Sequence, residues 1–300
     1  MSGPGAAQVR VGVVIVHFGE KGPTQACLAA LQRDRSRTAR RVVVVDNGGT
    51  LGSGAWRGAE VVVLRSNPGF GAGANAGVAA FAGEALDAII VLNNDIEVTD
   101  GYIDAAVEAL RRPGTGLAAG PLYLDRPGGT LWYAGGGVNW LTGTVRQATS
   151  ATATREERTV GFAPGAAFAV GAEAWRQVGG FDPSYFLYNE DVDLCLRLRR
   201  HGWRLLFSPD MVAVHRLGAV TGSASRSPFY LEHMAATRLR PFRPLAYRLY
   251  LAALHSGYAL LRAAWYRAAV RGEGGRTAAA AILRGHGRAL GQLMTPPRAD

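Results

Sequence analysis

The sequence predicts an α/β fold: a Rossmann-like, mainly parallel sheet flanked by helices, with a basic helical extension at its C-terminal end. Three observations point there. Val11–Val16, Val42–Val45 and Ala88–Leu92 are continuous apolar runs of strand length, the pattern of strands covered on both faces. Each run stops abruptly at polar residues: His17, Asp46 and Asn93-Asn94-Asp95. Stretches with helical spacing separate the strands, so strand–helix–strand units with right-handed crossovers are expected. Open α/β sheets bind ligands beyond the carboxyl ends of their strands. These strand-end polar groups are therefore the leading functional candidates.

At 300 residues the chain can form one large or two small domains with a real core. A hydrophobic content of 48% and a mean hydropathy of +0.04 are globular values. The net charge of +10 falls mostly late in the chain and suits acidic partners such as anionic lipid or a phosphorylated substrate. No nucleic-acid reading module accompanies it. Two cysteines, Cys27 and Cys195, without a pairing motif argue against a disulfide scaffold and suit a reducing compartment. Residues 1–8 lack the apolar core of a signal peptide, and no uncharged run reaches the ~18–20 residues of a membrane span. A cytoplasmic location, peripheral at the inner face of the membrane, is the expectation.

In chain order, Thr24–Leu31 reads as a helix with Cys27, Leu28 and Leu31 inward. Arg33–Arg41 is a basic surface segment. Asp46-Asn47-Gly48-Gly49 is a strong turn signal, and its acid is also placed to bond a ribose or a base. Glu60–Leu64 is a third strand. The Asn67–Gly77 loop, with Gly69, Gly71, Gly73 and Gly77, allows backbone to approach a phosphate or sugar and opens a helix over 74–82. Gly71-x-Gly73 matches part of a dinucleotide fingerprint, which normally follows the first strand and here follows the third. The amide of Asn75, among small residues, needs a partner. At 93–95, one carboxylate flanked by two amides can hold a divalent cation and bond a sugar; the plain alternative is an Asx turn.

Gly101–Arg111 reads as a helix, Gly116–Leu122 as a strand, Leu131–Asn139 as irregular β structure and Val145–Arg158 as a surface loop. Val160–Val170 is rich in small residues and leads into a helix over Ala172–Val178. Glu190, Asp191 and Asp193 then open a helix that runs to Arg200. Acids complement a helix N-terminus, but one or two suffice. The aromatic run Tyr185–Tyr188 just before them resembles a pocket wall, where a carboxylate gains a raised pKa and can act as a general base. Trp203–Phe207 and Met211–His215 are further strands. His215 is either structural or, at a strand end, a metal ligand. Gly218–Ser227 is a lid candidate whose Arg226 could clamp a phosphate. Tyr230–Leu239, Leu245–Val270 and Thr277–Leu293 read as helices. The last two are basic and amphipathic, and three uses are open: an anionic membrane surface, packing on the domain, or a homodimer face.

Taken in order, Val42–Gly48, Asn67–Asn75, Leu92–Asp95, Gly179–Asp182, Phe186–Arg197 and His215 resemble the family 2 glycosyltransferases of GT-A fold, in particular their bacterial rhamnosyltransferase-like branch. The resemblance covers residues 10–240 and implies a GT-A domain over 1–240 followed by amphipathic basic helices over 241–300. It implies an inverting transferase that moves a sugar (rhamnose or another hexose) from a UDP- or dTDP-sugar donor, with dTDP-rhamnose ahead. The acceptor would be a hydroxyl of a glycan, a lipid-linked or a small molecule. It further implies a divalent metal, Mn²⁺ or Mg²⁺, held by Asp95 and His215. His17, Asp46, Asn67, Gly71, Asn75, Asn93, Asn94 and Arg226 would surround the donor. Asp191 would be the catalytic base, with Glu190 the alternative. The first acid of the family's metal motif is Asn93 here, so only one carboxylate of that motif remains. Two other classes stay open. A nucleotide-dependent oxidoreductase would use the Gly71–Gly77 loop but leave Glu190, Asp191 and His215 idle. A non-catalytic lipid- or polysaccharide-binding protein would use the terminal helices alone.

Overall fold

The computed structural model describes residues 9–52, 54–216, 227–270 and 272–295. The first half alternates strand and helix: β1 (Arg10–His17), α1 (Lys21–Arg33), β2 (Ala39–Asn47), β3 (Gly54–Trp56), β4 (Ala59–Leu64), α2 (Phe70–Ala79) and β5 (Ala88–Asn93). Then come β6 (Ile96–Val98), α3 (Tyr102–Leu110), β7 (Thr115–Ala119), β8 (Leu122–Tyr123), β9 (Leu131–Tyr133), β10 (Gly136–Asn139) and β11 (Thr144–Gln147). The second half holds β12 (Arg158–Val160), β13 (Ala167–Gly171), α4 (Ala172–Val178), α5 (Glu190–Arg200), β14 (Arg204–Phe207) and β15 (Ala213–His215). It closes with α6 (Pro228–Thr237), α7 (Leu245–Ala269) and α8 (Glu273–Gly291).

The central sheet has nine strands in the order β12-β14-β7-β13-β5-β1-β2-β4-β3. β1 lies parallel to both β2 and β5, and β2 parallel to β4. Val13, Val14, Ile15, Val43, Val44, Val45, Ile90, Val91 and Leu92 are fully buried. Burial on both faces is why these strands read as unbroken apolar runs. A second sheet, β6-β15-β8-β9, stands beside the carboxyl end of β5, and β10 with β11 forms a hairpin. The fold is the mainly parallel, helix-flanked α/β arrangement expected.

Several elements differ from the sequence reading. The 160–170 stretch contains β13, which inserts antiparallel between β5 and β7. Its Ala-Phe-Ala-Val-Gly sequence lacks the β-branched run of a strand, yet Ala167, Ala169 and Val170 are fully buried there. The expected 145–158 loop begins in β11 and ends in β12. The expected 116–122 strand breaks into β7 and β8 at Gly120, where a Cβ would lie 2.1 Å from the Met211 carbonyl. The helix expected over 74–82 begins at Phe70, so Gly71, Gly73 and Gly77 lie inside it and Gly69 stands at its N-terminal boundary.

The terminal helices are not a detached layer. Leu251 and Ala252 of α7 and Ala289 and Leu293 near the end of the chain join the main core. A smaller apolar cluster joins Leu231 of α6 to Ala259, Ala263 and Tyr266 of α7 and to Ala281 and Ile282 of α8.

Candidate active site

The carboxyl ends of β1 and β2 are in register, which sets His17 beside Asp46. Both are fully buried. His17 Nδ1 lies 2.6 Å from the Thr24 hydroxyl and Nε2 lies 2.8 Å from the Thr50 hydroxyl. Burial pushes this imidazole below its ordinary value, against the charge of Asp46. Asp46 Oδ1 accepts the N–H of Thr50 at 2.8 Å; Oδ2 accepts those of Leu51 at 2.7 Å and Gly52 at 3.1 Å. Burial alone would raise the Asp46 carboxyl, but these N–H groups and His17 reverse that and hold it low. The sequence expectation set Asp46 against a base or ribose. Here the carboxylate is closed into its own turn.

The Asn67–Gly77 stretch also works inward. A Cβ at Gly69, whose φ is +102°, would lie 2.2 Å from the Phe186 carbonyl oxygen. One at Gly71 would lie 2.8 Å from Phe181 Cβ, and one at Gly77 would lie 2.4 Å from Val14 and 2.8 Å from Val45. The glycines let α2 lie flat on β1 and β2 and let the 181–186 segment close over its start. Asn67 Oδ1 accepts from the Gly69 N–H at 2.9 Å and from Asn47 Nδ2 at 3.0 Å. Asn75 accepts the Phe181 N–H at 3.0 Å and donates to the Phe181 carbonyl at 2.9 Å. Gly71, Asn67 and Asn75, expected at the donor, make these contacts within the protein. Asn94 Nδ2 likewise donates to the Thr24 hydroxyl at 3.1 Å.

Asp95 and His215, the metal ligands expected from the resemblance, lie side by side. β6 pairs antiparallel with β15, placing Ile96 opposite His215, and the Arg216 N–H donates to the Asp95 carbonyl at 2.9 Å. Asp95 Oδ1 lies 3.2 Å from His215 Nε2, without the alignment of a hydrogen bond. Asp95 Oδ1 and His215 Nδ1 are buried and have no hydrogen-bond partner among the described residues. Trp132 stands edge-on to the imidazole, centroids 4.9 Å apart, and walls this side. A buried polar atom without a partner is costly, and one carboxylate beside one imidazole is a donor set that fits a divalent cation. No group of three or more His, Cys, Asp or Glu side chains suited to a metal occurs among the described residues. Such an ion would take its other ligands from phosphate oxygens and water.

Glu190 and Asp191 open α5 behind two left-handed residues, Tyr188 (φ +67°) and Asn189 (φ +65°). This left-handed turn leads directly into the helix N-terminus. Asp191 is half-buried. Its Oδ2 accepts the Gly165 N–H at 3.0 Å and its Oδ1 the Val192 N–H at 2.8 Å. Burial raises its carboxyl, with those N–H groups opposing. Glu190 is buried, its Oε2 without a partner among the described residues. Burial first, and the charge of Asp191 second, push it up to about 8. Asp193, the third acid, is structural: its Oδ2 accepts from Arg197 Nε at 2.7 Å, and Arg197 Nη1 donates to the Val178 carbonyl at 2.6 Å.

Two adjacent residues tie the acids to the sheet. Gly165 donates to Asp191, and the Ala166 carbonyl accepts the N–H of half-buried Asn93 at 2.8 Å. The site thus brings together Asn93, Asp95, His215 and Asp191 around the end of β5. Arg226 and the 218–226 part of the expected lid lie outside the described residues; Ser227 caps α6 through the Tyr230 N–H. Gly165, Trp132, Thr24 and Thr50 carry no signal in the sequence, because their roles depend on what folding sets beside them.

The family described as Glycosyltransferase like family 2 matches residues 8–240. N-acetylglucosaminyl-diphospho-decaprenol L-rhamnosyltransferase of Mycobacterium tuberculosis is 30% identical over 287 residues, covering 86% of this chain and 87% of the relative. Rhamnosyltransferase WbbL of Escherichia coli is 54% identical over 39 residues, 13% of this chain and 15% of that one. Among solved structures, mannosyltransferase PcManGT from Pyrobaculum calidifontis, in complex with GDP-Man and Mn²⁺, superposes with a TM-score of 0.54 at 16% identity, covering 94% of this chain and 87% of that one. GalNAc-T7 with UDP, GalNAc and Mn²⁺ gives 0.55 at 17% identity over 78% of this chain, which spans about half (51%) of that structure. Both likenesses establish the GT-A fold. On the family match and the near full-length relative, the chain belongs to the family 2 glycosyltransferases and is a glycosyltransferase.

Proposed function

We propose that the protein transfers a sugar, with inversion, from a nucleoside-diphosphate donor to a hydroxyl of a lipid-linked acceptor. The observation that carries the reading is the juxtaposition of Asp95 Oδ1 and His215, 3.2 Å apart and with Asp95 Oδ1 and His215 Nδ1 lacking hydrogen-bond partners among the described residues, at the sheet end to which Gly165 and Ala166 tie the half-buried Asp191. Asp95 and His215 hold a divalent cation, Mn²⁺ or Mg²⁺. That ion, when bound, offsets the charge growing on the diphosphate leaving group. Asn93 faces the donor, backed by the buried His17, Asp46 and Asn94.

Asp191 takes the proton of the acceptor hydroxyl. The acceptor oxygen forms its bond to the anomeric carbon as the bond from that carbon to the diphosphate breaks, and the electron pair leaves with the diphosphate. A positioned base typically contributes ~10²–10⁴-fold. The N–H groups of Gly165 and Val192 hold the carboxylate in place. Burial and the charge of Asp191 push Glu190 up to about 8, so the Glu190–Asp191 pair holds a proton more readily than two free carboxyls.

A dTDP-rhamnose donor and a polyprenyl-diphosphate-linked acceptor are favoured by the relative of 30% identity, whose activity its name states. A role in cell-wall or surface-polysaccharide synthesis follows from that pairing. The test is incubation with dTDP-rhamnose, UDP-glucose or UDP-N-acetylglucosamine, Mn²⁺ and a short-chain prenyl-diphosphate N-acetylglucosamine, with product mass as readout. Rhamnosyl transfer supports the donor assignment; transfer from a UDP-sugar alone replaces it.

A further inference from the structure

α7 is buried along one face and apolar along the opposite one. Arg248, Leu251, His255, Ala259, Ala263 and Tyr266 turn inward. Tyr250, Leu254, Tyr258, Leu261 and Trp265 recur at helical spacing on the outer side, and each is 42–73% exposed. From Leu249 to Leu261 the helix carries no Lys, Arg, Asp or Glu. A helix packed on a water-soluble domain normally shows a polar outer face. Here, from Tyr250 to Trp265, about 22 Å of helix, at 1.5 Å per residue, offers aromatic and aliphatic side chains to the outside. The tip of the β10–β11 hairpin extends the surface: the Tyr250 hydroxyl donates to the Leu141 carbonyl at 2.8 Å, and Leu141 is 72% exposed. Contiguous apolar surface of this kind marks an interaction site.

The charge around it selects the occupant. Residues 241–300 contain nine arginines against Glu273 and Asp300; among the described ones Arg248 is buried and Arg284 and Arg288 pair with Glu232 of α6, while Arg243, Arg262, Arg267 and Arg276 are at least partly exposed. Beside the hairpin tip, a cavity of about 280 Å³ is lined by Arg199, Arg200, Arg243, Trp140 and Phe242. A second copy would bring this cationic segment against itself, which like-charge repulsion opposes. An anionic lipid surface is attracted to it, and Trp and Tyr suit the boundary between headgroup and acyl chain. No helix among the described residues is long and apolar enough to cross a membrane.

We propose that the outer face of α7, with the Trp140–Leu141 tip, docks the protein on an anionic lipid bilayer, the arginine-lined cavity receiving a lipid phosphate. Docking has a consequence for transfer that rests on the lipid-linked acceptor proposed above. α6 packs against α7 and α8, and its Phe229, Tyr230 and His233 contact Phe186 and Tyr188 just ahead of Glu190 and Asp191. The catalytic acids thus belong to the same assembly as the docking face.

Flotation of the full chain with vesicles of phosphatidylcholine, with and without phosphatidylglycerol, tests the proposal. The wild type is expected to float with the phosphatidylglycerol vesicles. The Leu254→Glu/Leu261→Glu variant, altered only at exposed positions, is expected to lose at least about tenfold in partitioning. Arg199→Glu is expected to shrink the preference for anionic vesicles. Nucleotide-induced thermal stabilisation of each variant, unchanged from wild type, shows that it is folded and separates failure of docking from failure of the transferase reading. Wild-type protein that stays unbound with both vesicles overturns the proposal. So does a dimer by light scattering that the double variant converts to monomer, which gives the face to a second copy. Equal binding to both vesicle types removes the phosphate site.

Discussion

Gly165 donates its backbone N–H to Asp191 Oδ2 at 3.0 Å, and a Cβ at Gly165 would lie 3.3 Å from both Asp191 Cβ and the Phe70 ring. The acid, the loop after β12 and the start of α2 are therefore fitted to one another. Asp191→Asn keeps an oxygen to accept the Gly165 N–H but cannot take a proton. The expected result is a loss of kcat of ~10²–10⁴-fold, with donor affinity by calorimetry within a factor of about two. A parallel loss of donor affinity would move Asp191 into the donor site.

The acid pair gives the pH dependence a sign. Asp191 is raised above its ordinary 3.8 by burial, so kcat/KM should fall on the acid side at a pH above the usual aspartate range. Glu190 is raised from 4.5 to about 8, so the folded state holds its proton more tightly than the unfolded chain. Its contribution to stability is complete below pH 4.5 and is lost as pH rises through about 8. Glu190→Gln should therefore flatten the decline of Tm between these values. An unchanged slope would mean that Glu190 is ionised in the folded protein.

Asp193 is predicted to matter for folding alone. It pairs with Arg197 in a site where the two side chains are 2% and 0% exposed. Removing one member strands a buried charge, at a cost of ~3–5 kcal/mol. Asp193→Ala should show that loss in urea unfolding, while the folded fraction binds donor normally. A small loss of stability with abolished donor binding would place Asp193 in the site.

Gly77 separates the two uses of a glycine-rich loop. A Cβ there meets Val14 at 2.4 Å and Val45 at 2.8 Å, both core strand residues. Gly77→Ala should cost ~1–3 kcal/mol by overpacking and leave donor affinity unchanged. A selective loss of donor affinity would restore the phosphate-cradle role.

The parallel half of the sheet was legible because burial on both faces writes continuous apolar runs such as Val11–Val16 into the sequence. β13 was not, since Ala167, Ala169 and Gly171 carry no β-branched signature and gain their place from β5 and β7. The strand-end polar residues stood out as candidates because position makes Asn93, Asp95 and His215 conspicuous. How each is used depends on geometry. Asp46 and Asn75 look like ligand contacts in the sequence, and three-dimensional proximity supplies them with backbone partners in their own turn and at Phe181. Gly165 and Trp132 had no signal because nothing local distinguishes a glycine N–H or a tryptophan face until Asp191 or His215 arrives beside it.

Asp95 and His215 are proposed to hold a divalent cation for a nucleotide donor. Thermal unfolding of wild type and Asp95→Ala with dTDP or UDP, each with Mn²⁺ or EDTA, tests it most directly. A ligand at 100 times its Kd adds about 2.7 kcal/mol of stability. Wild type with nucleotide and Mn²⁺ should rise in Tm, EDTA should abolish the rise, and Asp95→Ala should show no Mn²⁺-dependent rise. A nucleotide-induced rise that is the same in EDTA, or that survives Asp95→Ala undiminished, would contradict it.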